Sequence, residues 1–123
     1  MAYSLARDKA IVPKIATADL RQGQLVKLVA GKVVATVATD TNAFGVCLEA
    51  VAAGEEASIY VGVGEIVYME AHDNAITAGE TLKLAAGGRV DGGATGNCVG
   101  MALEDSTGQG HLIECVRLPN TTV

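Results

Sequence analysis

The side-chain types of a hydrolase triad lie close together in residues 105–111. Asp105, Ser106 and His111 fall within seven positions of one another. A working triad needs a histidine held by a buried acid, and a nucleophile beside groups that bind an oxyanion. Here all three residues belong to, or directly follow, one polar turn, Asp105-Ser-Thr-Gly-Gln-Gly110. We therefore interpret them as residues of a surface turn and predict no catalytic site.

A metal site is the second chemistry that the residue types suggest. His111 and Cys115 are four positions apart, so on a strand they share a face, and Cys98 could join them. Thiolate and imidazole groups suit zinc, but a fourth ligand is not evident and the spacing fits no common zinc pattern. We predict no metal site at these residues.

A cofactor site is the third chemistry to weigh. Residues 87–96 are rich in glycine, but a phosphate-binding loop needs a lysine after its last glycine and a following helix, and neither is present. Lys27 and Lys83 occupy equivalent positions in two similar stretches of the sequence. The setting is similar to that of lipoyl and biotinyl domains, in which a lysine at a hairpin tip carries the cofactor. Both lie within apolar strands rather than at a hairpin tip. We predict no cofactor.

Composition and charge exclude several classes of protein. Half of the 123 residues are apolar and 19% are charged, which is too apolar for a disordered chain. No apolar run approaches the 18 residues of a membrane span. The net charge is −5, with six basic and two acidic residues in 1–32 but three basic and twelve acidic in 33–123. Because the acidic body repels phosphate backbones, we predict no nucleic-acid partner. Because no run could span a membrane, we predict no membrane partner.

The cysteines indicate the redox environment. Cys47, Cys98 and Cys115 are odd in number and form no CxxC pair, unlike the cysteines of a secreted disulfide scaffold. The charges at 7–9 and Pro13 interrupt any apolar signal-peptide core. We expect unpaired thiols in the core of a chain kept in a reducing compartment.

The sequence contains an internal repeat. Three blocks recur in the same order, at offsets of 56, 55 and 54 residues. They are 23–31 with 79–87, 44–49 with 99–104, and 59–63 with 113–117. Two copies are too few for a solenoid, so we expect them to close on one core. The predicted copies span about 18–70 and 74–118.

Each copy is predicted to consist of short strands. Val33, Val34 and Val37 lie in a β-branched run, and residues 58–63 alternate between apolar and other side chains. Short strands between glycine turns predict an all-β fold, a compact barrel or sandwich that forms one β domain over 18–118. Pro119 is expected to end the last strand and leave a tail over 119–123, and a short helix in 71–78 stays open.

At this point the sequence resembles a known family. The frame Gly-(Gln/Glu)-x-(Val/Leu)-Lys-Leu-x-Ala-Gly at 23–31 and 79–87, the blocks at 44–49 and 99–104, and Gly54-Glu55 are similar to small capsid cement, or head-decoration, proteins of tailed phages. The resemblance covers about residues 18–118. It implies a double-copy β body and a structural protein rather than an enzyme.

The resemblance also implies partners and a location. Such a protein binds the outer face of an assembled capsid, so its partner is the major capsid protein, and it forms a homo-oligomer, with a trimer favoured. It implies a place on the exterior of the virion after assembly in the host cytoplasm. The alternative is a small β-barrel enzyme or ligand-binding domain of unknown substrate. That alternative needs a polar cluster inside a cavity, whereas both histidines fall in predicted loops or rims.

Residues 1–17 lie outside the repeat, and we expect them to form an extended N-terminal arm. Pro13 and the charges at 7–9 argue against a stable hairpin of the arm on itself. The arm is therefore expected to cross to a neighbouring subunit or to the capsid protein. Its predicted contact residues are Tyr3, Leu5, Arg7, Ile11 and Val12.

Overall fold

The computed structural model describes residues 10–93 and 95–122, which form ten strands and one 3-10 turn, Ala86–Gly88. The strands are β1 (Ile11–Ile15), β2 (Leu25–Val29), β3 (Lys32–Ala35), β4 (Gly45–Cys47), β5 (Glu56–Tyr60), β6 (Ile66–Glu70), β7 (Thr81–Leu84), β8 (Val90–Gly92), β9 (Asn97–Ala102) and β10 (Leu112–Thr122). In these ranges no helix is long and apolar enough to cross a bilayer. The predicted all-β fold is confirmed.

The strands form two antiparallel sheets that share one strand order. The first sheet runs β1-β5-β4-β2-β3 and the second runs β6-β10-β9-β7-β8. Each sheet therefore begins with its first strand, continues through its fifth, fourth and second, and ends with its third. This shared order is what duplication of one five-stranded unit would produce.

An isolated parallel bridge joins the two ends of each sheet. Ala16, next to β1, pairs with Val33 of β3, and Ala71, next to β6, pairs with Val90 of β8. Each sheet therefore curves until its end strands meet. We call strands β1–β5 the first barrel and strands β6–β10 the second barrel.

Each barrel buries its own apolar side chains, and the two cores meet between them. The first core contains Val26, Val33, Cys47, Ala57 and Ile59. The second core contains Val67, Met69, Leu82, Val99, Ile113 and Cys115. Leu25, Val46 and Tyr60 of the first barrel are continuous with the second core. The two barrels are thus packed through apolar contact.

The two five-stranded units begin earlier in the chain than the predicted copies. Because β1 corresponds to β6 in the strand order, the units span about 11–60 and 66–122, whereas the predicted copies span about 18–70 and 74–118. The strand pairing also gives an offset of 56 for β5 and β10. Tyr60 lies opposite Ile11, and Val116 lies opposite Ile66. A slip of two residues keeps every side chain on its face, so alternation alone did not separate 54 from 56.

The predicted arm over 1–17 overlaps a strand of the first barrel. Residues Ile11–Ile15 form β1, which pairs with β5, and Ala16 is fully buried. Pro13 lies opposite Ser58. The residues on either side of Pro13 in β1 are the ones whose backbone groups hydrogen-bond to β5. Its missing N–H therefore falls on the outer edge of an end strand, where proline is tolerated.

The C-terminal end differs from expectation, and the structure also answers the open question about residues 71–78. β10 continues through Pro119 to Thr122, so no tail begins at 119. A register shift between Arg117 and Thr121 releases Pro119 from the hydrogen-bond ladder, which explains its place inside the strand. Residues 71–78 contain isolated bridges at Ala71 and Ile76 in place of a helix.

Candidate interaction surface

The five predicted contact residues fall into two groups. Tyr3, Leu5 and Arg7 lie outside the described residues. Ile11 is 48% exposed on the outer side of β1, whereas Val12 is partly buried and packs against the first core. Of this last pair, Ile11 is the residue that a partner could reach.

The structure brings Ser106 and His111 together without building a triad. Ser106 Oγ lies 3.4 Å from His111 Nδ1, and the Thr107 hydroxyl lies 3.2 Å from the same nitrogen. Asp105 serves another purpose, since its carboxylate accepts the backbone N–H of Ala78 at 2.8 Å. These contacts hold a polar turn together and leave the histidine without an orienting acid from Asp105.

The three cysteines are buried free thiols. Cys47 Sγ lies 2.9 Å from the Glu49 carbonyl oxygen, and Cys115 Sγ lies 3.2 Å from that of Ile113. Burial raises the pKa of Cys47, and it raises the pKa of Cys115 to about 12. Both thiols therefore stay protonated at neutral pH. Among the described residues, no three His, Cys, Asp or Glu side chains are grouped so as to hold a metal ion.

A shallow cleft of about 480 Å³ lies on the second barrel, with His72, Lys83 and Asp91 in its lining. His72 Nδ1 is 3.4 Å from Asp91 Oδ2, and the other Asp91 oxygen accepts the N–H of Asn74. Within the lining, the His72 and Asp91 side chains thus contact each other. This arrangement does not favour the enzyme or ligand-binding alternative.

Lys27 has a structural partner. Its ammonium group lies 3.0 Å from the Asp40 carboxylate, which also accepts the backbone N–H of Val37. Partial burial opposes ionisation of Asp40, but these two donors outweigh it and lower its pKa. Lys27 therefore anchors the loop after β3 and, as predicted, lies within a strand rather than at a tip.

The glycine-rich segment forms part of the joint between the barrels. The Gln24 side-chain amide donates to the Gly87 carbonyl, and the Gly88 N–H donates to the Thr36 carbonyl, both at 2.8 Å. A Cβ on Gly88 would lie 2.7 Å from the Leu25 carbonyl oxygen. The Ala86–Gly88 turn therefore sits directly on the first barrel, which explains why glycine stands there.

An ion cluster closes one side of this joint. Arg21 Nη2 lies 3.0 Å from Glu70 Oε1, and Arg89 Nε lies 3.4 Å from the same oxygen. The Glu70 side chain is 8% exposed. Sequence reasoning missed this cluster because charge alone does not reveal which distant partner a side chain meets.

A buried arginine closes the other side. Arg117 is almost fully buried, and burial lowers the pKa of its guanidinium. Its guanidinium nitrogens donate to the backbone carbonyls of Val99, Leu118 and Ala43. Because Ala43 belongs to the first barrel, Arg117 ties the barrels together. The Asn120 side chain accepts the Ala43 N–H at 2.8 Å and adds a second tie.

Six apolar side chains share the outer side of β6, β10 and β9, and we call this surface the β9–β10 face. They are Ile66, Tyr68, Met101, Leu103, Leu112 and Val116. Ile66 and Met101 are 61% and 40% exposed, and both lie opposite Val116. Glu114 lies among them, opposite Tyr68. A contiguous apolar surface of this kind is a candidate protein contact.

One sequence signal could have revealed this surface. Residues 66–69 read Ile-Val-Tyr-Met, an unbroken apolar run. Such a run predicts a strand that is covered on both faces. In β6, Val67 and Met69 point inward, while Ile66 and Tyr68 point outward.

Comparison with known proteins finds a matching family model and a similar solved structure. A family model described as phage cement protein matches residues 5–118. The chain also resembles the crystal structure of the head fiber gp8.5 N base of bacteriophage phi29, with a TM-score of 0.71 and 13% sequence identity. That match covers 92% of this chain and 97% of the other. No curated protein matches the chain.

Proposed function

The chain belongs to the phage cement protein family, and from that premise we propose that it binds the outer surface of an assembled phage head and stabilises the shell. Its role is structural, in decoration of the phage head. The family match over 5–118 is the observation that carries this conclusion. The protein acts by binding alone, without a catalytic step.

The proposed partner is the major capsid protein, and the proposed form is a homo-oligomer, with a trimer favoured. The β9–β10 face and the exposed side chain of Ile11 offer apolar surface for such contacts. Several subunits that bind together turn individually weak contacts into stable attachment, because later contacts form at high effective concentration.

The joint between the barrels suits this role. The Glu70 cluster, the Gly88 turn and Arg117 connect the barrels at three places. A body with a fixed shape loses little conformational freedom when it binds a shell, which favours attachment.

The proposed location is the exterior of the virion, reached after assembly in the host cytoplasm. The buried, protonated thiols of Cys47 and Cys115 suit a reducing compartment during assembly. The net charge of −5 limits association between decorated heads once the virion is released.

Co-sedimentation with emptied phage heads that lack this protein tests the proposal. We expect saturable binding and a higher temperature of head disruption after decoration. Heads that already carry the protein serve as the control, because their sites are filled. Absence of saturable binding to undecorated heads contradicts the proposed function.

A further inference from the structure

Corresponding rows of side chains in the two barrels differ in burial. The row in the first barrel crosses β2, β4 and β5 at Leu25, Val46 and Tyr60. The row in the second barrel crosses β7, β9 and β10 at Thr81, Met101 and Val116. At the matching positions of β4 and β9, Val46 is 0% exposed, whereas Met101 is 40% exposed. The same position in the fold is covered in one barrel and open in the other.

The first row is covered by part of the joint between the barrels. It includes the Ala86–Gly88 turn between β7 and β8, which contacts the first barrel at Leu25 and Gln24. The corresponding element of the first barrel is the turn between β2 and β3. There Val29 and Lys32 are exposed. Each chain therefore presents both halves of a second joint, the β9–β10 face and the β2–β3 turn.

We propose that the β9–β10 face binds the β2–β3 turn of a second copy of this chain, so that the contact between chains repeats the contact between barrels within a chain. The proposal rests on the homo-oligomer proposed above. Such a contact joins two different surfaces and continues head to tail until the ring closes. In a trimer, six barrels follow one another around the ring.

Charge supports a head-to-tail contact over pairing of two identical faces. Face-to-face pairing would bring Glu114 of one chain towards Glu114 of the next, and like charges in a contact are unfavourable. Head-to-tail pairing brings Lys32 to that acidic surface instead. Residues 61–122 carry eight acidic and three basic residues, against five and four in 10–60, so the second barrel is the more acidic.

Sedimentation velocity of variants of the full chain tests the proposal. Met101→Glu alters the face and Val29→Glu alters the turn, and both positions are exposed, so each variant should keep its circular dichroism spectrum. We expect each to raise the concentration for half-association by at least about tenfold, as loss of a central apolar contact does. Val37→Glu is the matched control at an exposed valine on neither surface.

Mixing the two variants gives a result specific to a head-to-tail contact. The Met101→Glu chain keeps an intact turn and the Val29→Glu chain keeps an intact face. Together they should form one joint, so the mixture should contain a heterodimer that neither variant forms alone. If the mixture stays monomeric, the two surfaces do not bind each other and the proposal is wrong.

The remaining outcomes separate this proposal from the proposed function. If the unaltered protein oligomerises and both variants associate normally, the surface assignment fails while the decoration role stands. If Met101→Glu leaves the oligomer intact but abolishes head binding, the face binds the capsid protein and the proposal is overturned. If the unaltered protein neither associates nor binds heads, the proposed function fails as well.

Discussion

Arg21 and Glu70 form an ion pair across the joint between the barrels, with Nη2 and Oε1 3.0 Å apart. The Nε of Arg21 donates to both Glu70 oxygens at 3.2 Å. The backbone N–H of Glu70 donates to the Gly23 carbonyl, also across the joint. Glu70 therefore connects the barrels through its backbone and its side chain, and its carboxylate is itself almost fully buried.

Replacing Glu70 should weaken the whole fold. Glu70→Ala removes the acceptor of the Arg21 hydrogen bonds and the ion-pair partner of Arg89, and hydrogen bonds to charged groups contribute about 1.5–3 kcal/mol each. Because Arg21 is half exposed and regains water, we expect the free energy of unfolding to fall by about 2 kcal/mol. Urea denaturation measures this change. Glu49→Ala, at an exposed site, is the control, with an expected change within about 0.5 kcal/mol.

Gly88 should tolerate a side chain less well than Gly54, another glycine with positive φ. Gly88→Ala places a methyl group at φ +72, 2.7 Å from the Leu25 carbonyl oxygen. Gly54→Ala has a similar φ of +86 but meets nothing within 4 Å, so it isolates the backbone cost of about 1–2 kcal/mol. We expect Gly88→Ala to destabilise by at least about 1 kcal/mol more, as overpacking does. Equal thermal shifts in the two variants would show that the joint adapts to the methyl group.

The buried Cys115 predicts loss of stability in alkali. Burial raises the pKa of Cys115 from 9.0 to about 12 in the folded protein. Above pH 9 the unfolded thiol loses its proton while the folded thiol keeps it, so stability falls as pH rises between 9 and 12. Burial, with a contribution from the hydrogen bond to Glu65, also raises the pKa of Tyr60 to about 12, which acts in the same direction.

Thermal melts at pH 8 to 11 measure this effect. Cys115→Ala and Tyr60→Phe should each flatten the decline of the melting temperature with pH. In folded protein at pH 8, iodoacetamide should modify Cys115 far more slowly than in urea. Rapid modification of the native thiol would mean that the second core opens more readily than its packing indicates.

Local patterns in the sequence predicted the strands well because they depend on neighbouring residues. The β-branched run around Val33 begins in β3, and the first residues of the alternating run over 58–63 lie in β5. The role of Pro13 was less accessible, because proline is compatible with an end strand only in a particular pairing register. The Arg21–Glu70 pair could not be predicted from local patterns, since it depends on how the two barrels pack.

The proposed contact surface was the hardest part to predict. Composition pointed to the N-terminal segment, where Val12 proved to face the core. The β9–β10 face went unnoticed because its members come from three strands and alternate with buried residues. Only the pairing of Val116 with both Ile66 and Met101 shows that they form one surface.

Two deletions of different length at the N-terminus should distinguish an effect on head attachment from an effect on folding. Deleting residues 2–9 should leave the barrels folded, because β1 begins at Ile11. Deleting residues 2–15 removes β1, with the inward-facing side chain of Val12, and should unfold the first barrel.

Residues 1–9 contain Met1, Tyr3 and Leu5, and burial of each large apolar side chain contributes about 1.5–3 kcal/mol before ordering costs. We therefore expect the shorter deletion, and Tyr3→Ala to a lesser degree, to reduce head binding at least about tenfold. Raised salt should weaken the intact protein only modestly, since apolar contacts dominate. Ser4→Ala is the control. If the protein without residues 2–9 decorates heads as fully as the intact chain, attachment comes from the barrels and the segment is dispensable.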